Sequence, residues 1–257
     1  MAVKIISMPR LRLLLCLISL APISIGLTQG VETLRQTLKE GLYTYVVTVL
    51  APDLLKLEPT NPEAHLLYAF GLYYTNDPIK ARLELDKAVS LNIELTAEVQ
   101  HLNGLLRATE GDIDGALGLL QKAFEKSQDY TIAMDWGRIA WESDHPEQAL
   151  EPFSHAANTD EGKRKMWPEL NRGRIFHLIL KDYDRAIEAY DQAITIFEDN
   201  DPGGPAPSGY VEAFFRLGQV YEAKGDVPRA KANYELITQS LDQTYEPAIA
   251  ALERLAN

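Results

Sequence analysis

Apolar residues between positions 182 and 193 recur with the period of a helix. On a helix of 3.6 residues per turn, Ala186, Tyr190 and Ala193 lie along one stripe, while Asp184 and Asp191 point away from it. Two small residues seven positions apart leave room for a neighbouring helix to approach, and Tyr190 fills the space between them. The stretch predicts the second helix of a helical hairpin.

The same arrangement of a large residue between two small ones recurs along the chain. The further copies are Ala81–Leu85–Ala88, Ala116–Leu120–Ala123, Ala149–Phe153–Ala156 and Ala230–Tyr234, in which Ile237 takes the second small position. Their leading alanines, with Ala186, are spaced by 35, 33, 37 and 44 residues. Periods of this size indicate stacked structural repeats.

Upstream of each copy, a second helix-like stretch usually carries a small residue of its own. These positions are Ala69, Gly104, Gly137 and Gly218; in the copy led by Ala186 the equivalent position holds Arg174, directly after Gly173. Each repeat therefore contains two helices, and a small residue is expected wherever they come close.

The last copy comes closest to the tetratricopeptide pattern W-x2-L-G-x2-Y…A-x3-F…P, through Leu217-Gly218-x2-Tyr221 and Ala230-x3-Tyr234. Trp136-Gly137, Ala149-x3-Phe153 and Ala186-x3-Tyr190 match it in part. The chain resembles the tetratricopeptide repeat family over residues 62–241. The resemblance implies an all-α fold, a right-handed α-solenoid of stacked helix-turn-helix hairpins. An ordinary helical bundle, in which the alanines serve only as good helix formers, is the alternative.

The repeat phase divides the chain into segments. Five repeats are predicted at 62–94, 95–128, 130–161, 166–198 and 210–241, preceded by a degenerate helical unit at 31–61 and followed by a capping helix at 243–257. The β-branched run at 46–49 and Pro52 disfavour a regular helix in the first unit. Terminal repeats are commonly atypical, and a last apolar face needs a cap.

The amino terminus has the layout of a secretory signal peptide. Within residues 1–28, a short basic region with Lys4, Arg10 and Arg12 precedes an almost wholly apolar run at 13–27. Fifteen apolar residues are short for a bilayer span of about twenty. We therefore predict an exported protein, periplasmic or extracellular; the alternative is a membrane anchor formed by residues 11–27. Cys16 is the only cysteine, so no disulfide can form within the chain.

Composition and motifs argue against catalysis and against nucleic acid. The net charge of −12 repels a phosphate backbone. The chain carries no nucleophile elbow, phosphate loop or H-E-x-x-H motif, and its five histidines are scattered. We expect no enzyme activity, no cofactor and no metal site, and membrane contact only through an uncleaved amino-terminal segment.

The resemblance places partner binding on the concave side, which the first helix of every hairpin lines. Counting along each first helix from its small residue assigns the following residues to the concave side: Leu66, Phe70, Tyr73, His101, Leu105, Met134, Arg138, Trp141, Arg172, Ile175, Phe215 and Arg216. Apolar anchors are expected toward one end, and acidic side chains of a partner near Arg138, Arg172 and Arg216. Alternatively, the aromatic residues pack against neighbouring helices and the arginines pair with local acids.

The predicted function is a non-enzymatic protein–protein interaction module, an exported adaptor or scaffold that binds a peptide or helix of a partner protein. A small-molecule or glycan-binding accessory subunit of an envelope enzyme system is the alternative, supported by the aromatic residues Tyr73, Tyr74 and Trp141. The two functions differ in the expected site, since a peptide groove is long and open whereas a ligand pocket is closed.

Overall fold

The computed structural model describes residues 27–144, 146–200 and 206–256, which form thirteen helices and one separate 3-10 turn, Gly162–Arg164. Residues 1–26 of the predicted signal peptide or anchor lie outside the described residues. Positions 201–205, between the predicted fourth and fifth repeats, also lie outside them. The helices are α1 (Leu27–Lys39), α2 (Tyr43–Tyr45, Val46–Leu50 and Ala51–Leu57), α3 (Pro62–Tyr74), α4 (Pro78–Ser90), α5 (Ala97–Thr109), α6 (Ile113–Ser127), α7 (Tyr130–Trp141), α8 (Pro146–Ala149 and Leu150–Asn158), α9 (Trp167–Arg174 and Ile175–Leu180), α10 (Tyr183–Asn200), α11 (Ser208–Ala223), α12 (Val227–Leu236 and Ile237–Leu241) and α13 (Glu246–Ala256).

The first twelve helices form six consecutive hairpins, and α13 packs against the last of them. The first helices of neighbouring hairpins also contact one another, as in the pairs α1–α3, α3–α5, α5–α7 and α9–α11. We call these first helices (α1, α3, α5, α7, α9 and α11) the inner row. The predicted all-α solenoid of stacked hairpins is confirmed.

Turns inside the hairpins use the residues that their geometry requires. Gly111 and Gly225 have φ values of +86° and +78°, and each is followed by an aspartate. That aspartate, Asp112 or Asp226, accepts a hydrogen bond from the backbone N–H three residues later and so caps the next helix. One dipeptide therefore ends one helix and starts another.

Each hairpin is closed by a small residue of the first helix against a large residue of the second. A Cβ atom added to the glycine would lie 2.9 Å from the side chain of its partner in the pair Gly104–Leu120. In the pairs Gly137–Phe153, Gly173–Tyr190 and Gly218–Tyr234 the distance would be 2.3–2.5 Å. The flanking alanines predicted from the sequence, among them Ala186 and Ala193, are fully buried. In these four hairpins the two backbones are thus held at a distance that favours a residue without a side chain.

A π-helical turn at Ile175–Leu180 changes the phase of the fourth predicted repeat. The turn adds one residue to α9, so Gly173 rather than Arg174 faces the ring of Tyr190. The positions in α9 that were predicted by counting back from Ala186 therefore lie one residue too far along the chain.

Residues 27–57 form a hairpin that packs on α3. Val31 and Leu34 of α1 lie in one apolar cluster with Val46, Ala51 and Leu67. The β-branched run adopts a π-helical turn, Val46–Leu50, within α2. Within the described residues, no helix is both long enough and apolar enough to cross a membrane.

We predict that Gly218→Ala lowers the free energy of unfolding by about 1–3 kcal/mol, because the new methyl group overlaps the buried ring of Tyr234. Gly118→Ala is the matched control. Gly118 lies inside helix α6, and a methyl group added there would have no neighbouring atom within 4 Å, so its replacement should stabilise by about 0.5–1 kcal/mol through helix propensity. Urea unfolding followed by circular dichroism measures both, and equal stabilisation by the two substitutions would contradict the close approach.

Candidate interaction groove

A cavity of about 630 Å³ opens on the inner row at its amino-terminal end. Side chains of α1, α3 and α5 and the start of α7 line it, together with the beginning of α2. We call it the N-terminal cavity. It is open to solvent rather than enclosed, so an extended chain could enter and leave it along the row.

One wall of the N-terminal cavity is aromatic. Tyr43 and Tyr74 stack with ring centroids 4.6 Å apart, and Phe70 lies 6.4 Å from Tyr74 and 5.7 Å from the ring of His101. Phe70 and His101 are buried, whereas Tyr74 keeps 37% of its surface exposed. Tyr74 therefore offers a ring that another molecule can contact, supported from behind by buried rings.

An ion-pair cluster fixes the first three inner helices relative to one another. Arg35 of α1 bonds Glu63 of α3 (2.6 Å) and Glu98 of α5. The guanidinium is half-buried and fixed by two carboxylates, which makes it a positioning group more than a free cation.

A second cluster joins α5 to α7 beside the cavity. His101 Nε2 lies 2.8 Å from Asp135 Oδ2, and Arg138 donates to the other oxygen of Asp135 at 3.2 Å. Burial raises the pKa of the Tyr73 phenol, and the charge of Arg138 offsets this in part.

In the carboxyl-terminal half of the inner row, the arginine side chains form salt bridges with acidic residues of the row itself. Arg174 and Arg216 both bond Glu212, Arg216 at 3.1 Å, and Arg174 also donates to Asn171 at 2.7 Å. Burial alone would raise the pKa of Glu212, but the two guanidinium groups lower it. This carboxylate is ionised and fully engaged.

The structure brings only some of the predicted site residues to the groove. Phe70 and His101 line the N-terminal cavity, and Tyr73 and Arg138 adjoin it. Leu66, Leu105 and Ile175 are at most 1% exposed and belong to the apolar core between the helices.

The other predicted residues serve packing or local ion pairs. Met134 and Trp141 are partly buried against Phe153 and its neighbours, and the ring of Phe215 lies 5.5 Å from that of Tyr245. Trp141 thus packs away from the aromatic wall formed by Tyr43 and Tyr74.

Arg172, predicted to lie on the concave side, bonds Glu169 at 2.8 Å and lines a hollow with Arg185 and Glu188 of α10. The one-residue displacement in α9 moves the predicted position of Arg172 to Asn171 and that of Ile175 to Arg174. Arg216 lies on α11 but is engaged by Glu212.

Several cavity residues carry no signal in the sequence pattern. Lys39 and Tyr43 belong to the first hairpin, which lacks the alanine pattern that sets the phase. Asp129 and Glu161 lie between helices, outside any helix stripe. The described residues contain no group of three or more histidine, cysteine, aspartate or glutamate side chains that could hold a metal ion.

Comparison with known proteins agrees with the repeat geometry. Two family models of the tetratricopeptide repeat match the chain, one over residues 170–200 and the other over residues 212–257. The chain contains tetratricopeptide repeats. Among curated proteins, none is significantly similar to it in sequence.

Solved structures resemble this repeat protein over most of its length. PilF of Pseudomonas aeruginosa aligns with a TM-score of 0.64 and 16% identity, over 89% of this chain and 97% of that one. PilW, a widely conserved type IV pilus biogenesis factor, aligns with 0.67 and 14%, over 88% and 98%. YrrB, a tetratricopeptide protein with an unusual peptide-binding site, aligns with 0.59 and 16%, over 79% and 97%. At these identities the likeness concerns the fold.

His177, in the π-helical turn of α9, is a buried histidine near the carboxyl-terminal half of the row. Its ring meets Tyr183 and Tyr190 edge-on, and its Nδ1 atom has no hydrogen-bond partner among the described residues. Burial lowers the pKa of His177 to about 4, with help from the charges of Arg216 and Lys181. The imidazole is therefore neutral at pH 7.

We predict that lowering the pH from 7 to 5 reduces the free energy of unfolding by about 1–2 kcal/mol through His177, since the unfolded chain takes up a proton near pH 6.5 and the folded chain only near pH 4. The stabilisation is complete above pH 6.5 and is lost as the pH falls through 4. Urea unfolding of the wild type and of His177→Phe at both pH values tests this. The variant should lose less stability than the wild type, and an identical loss would show that His177 is not held neutral.

Proposed function

We propose that this protein is a non-enzymatic interaction module that holds a peptide or helix of a partner protein in the N-terminal cavity and along the adjoining inner row. The observation that carries the proposal is the open, aromatic-walled cavity built by the first three hairpins and the start of α7. Aromatic side chains that are supported by buried neighbours and reachable from outside are typical anchors of binding energy.

The open shape of the cavity favours a polypeptide over a small ligand. A small molecule is usually held in a cavity that covers most of its surface. The N-terminal cavity is open, and Trp141, one of the aromatic residues that supported a ligand or glycan site, lies elsewhere. Other tetratricopeptide proteins bind proteins, and YrrB carries a peptide-binding site.

An adaptor role in the cell envelope is the finer part of the proposal. Residues 1–28 have the composition of a signal peptide, and PilW, of similar fold, is a type IV pilus biogenesis factor. Mass spectrometry of the protein purified from its own cells tests export. A mature chain that begins after the apolar run supports it, and an intact Met1 in the cytosolic fraction contradicts it.

We predict that Tyr74→Ala weakens capture of the native protein partner by at least tenfold, because it removes the exposed ring of the aromatic wall. Tyr45→Ala is the matched control: Tyr45 is 49% exposed and lies on α2 but does not line the cavity. Partners are identified by cross-linking and mass spectrometry in cells, and affinity is then measured by calorimetry.

The two variants separate the possible outcomes. Equal loss of binding in both would point to the outer surface of the first hairpin, and unchanged binding in both would remove the N-terminal cavity from the proposed function. Binding of a purified small metabolite or glycan with loss in Tyr74→Ala alone would favour the alternative function.

A further inference from the structure

We infer that the segment held in the N-terminal cavity is basic: its lysine or arginine side chain meets the carboxylates on the α7 side, and a neighbouring apolar residue lies against the aromatic wall. This inference rests on the proposed function, since it names the chemistry of the partner for the same cavity. It replaces the acidic partner that the arginines suggested from the sequence.

The arginines of the inner row are already engaged by carboxylates of the chain itself. Arg138 bonds Asp135 and approaches Glu142 at 3.6 Å, while Arg216 bonds Glu212. An acidic side chain of a partner would have to displace these carboxylates, which would then be left without their partners. Replacing the chain's own carboxylate by one from the partner would add little binding energy, because the displaced carboxylate would be left without a counter-charge.

The ion-pair clusters around the cavity keep an excess of negative charge. Arg35 is one cation between two carboxylates, Glu63 and Glu98. Arg138 is likewise one cation between Asp135 and Glu142, because the histidine that bonds Asp135 carries a charge only when protonated. Each cluster therefore presents a net negative charge next to the aromatic rings.

Asp129, at the start of α7, adds a carboxylate of which only one oxygen is engaged in hydrogen bonds. One of its oxygens accepts the backbone N–H groups of Thr131 and Ile132, and the other has no partner within the described residues. Glu161 lies on the same side of the cavity and is paired only with exposed Lys165. A cationic side chain entering here would meet both carboxylates.

Lys39 marks the opposite side of the cavity. It lies on α1, and no carboxylate of the described residues forms a salt bridge with it, whereas the acidic side chains of the lining cluster toward α5 and α7. The charge of the cavity is thus polarised, and the basic residue of the segment belongs on the α7 side.

The aromatic wall suits an apolar side chain. Tyr74 keeps 37% of its surface exposed, although Tyr43 stacks on its ring at 4.6 Å and Phe70 lies nearly parallel to it. An apolar residue of the segment can cover this exposed part and remove it from water. The net charge of −12 would also attract a basic segment over a longer range.

A library of random 12-residue peptides displayed on phage, selected on the purified full chain, tests the inference. The most enriched peptides are synthesised with a fluorescent label, and their affinity is measured by anisotropy at 50 and 300 mM salt. We expect a net positive charge, with lysine or arginine next to leucine or an aromatic residue, and weaker binding at high salt.

Charge-removing variants show whether the peptides use the carboxylates named above. The double variant Asp129→Asn/Glu161→Gln should weaken binding roughly fivefold or more, since asparagine still caps α7 while both charges are lost. The matched control is Asp112→Asn, which makes the same change at the cap of α6, outside the cavity lining. It should leave affinity unchanged.

The outcomes separate this inference from the proposed function. Enriched peptides that are neutral or acidic, or basic peptides that bind the double variant as tightly as the wild type, overturn the basic segment while loss of binding in Tyr74→Ala still supports a peptide cavity. If no peptide is enriched, or if those enriched bind Tyr74→Ala as tightly as the wild type, both proposals fail.

Discussion

The contact between a small residue on one helix and a large ring on the next sets the geometry of this molecule. In the hairpins closed by Gly137, Gly173 and Gly218, the glycine leaves the two backbones close enough for the opposing ring to lie against the main chain. Because this spacing recurs from hairpin to hairpin, the first helices fall into one row. The surface that we propose for binding is a consequence of that row.

Polar contacts then determine how the row is used. Salt bridges run from one inner helix to the next, and Arg35 and Arg174 each link different helices through carboxylates. They leave few positive charges available at the surface of the row and keep a surplus of negative ones. The aromatic cavity at the amino-terminal end is where this surplus coincides with accessible rings, and so chemistry and shape favour the same place.

The sequence predicts the helices, caps and small contacts well because each depends on residues close together in the chain. Asp112 caps α6 and Gly111 precedes it, and both follow from local rules. The inner positions of the fourth predicted repeat could not be predicted, because a π-helical turn in α9 adds a residue that no local signal reveals. Whether Arg138 and Arg216 pair with local acids could not be decided from the sequence for a related reason, since it depends on distances between side chains. The first hairpin, with Tyr43, lacks the repeat pattern altogether.

The salt bridge between Arg35 of the first hairpin and Glu98 of the third has a mechanical meaning. In a linear array, a unit ordinarily touches only its immediate neighbours, so strain and unfolding can pass along it one step at a time. A contact that skips a unit closes a loop of three hairpins and makes them respond together. The hairpins that hold the cavity are thereby expected to move as one rigid unit, while the remaining hairpins are coupled mainly to their immediate neighbours.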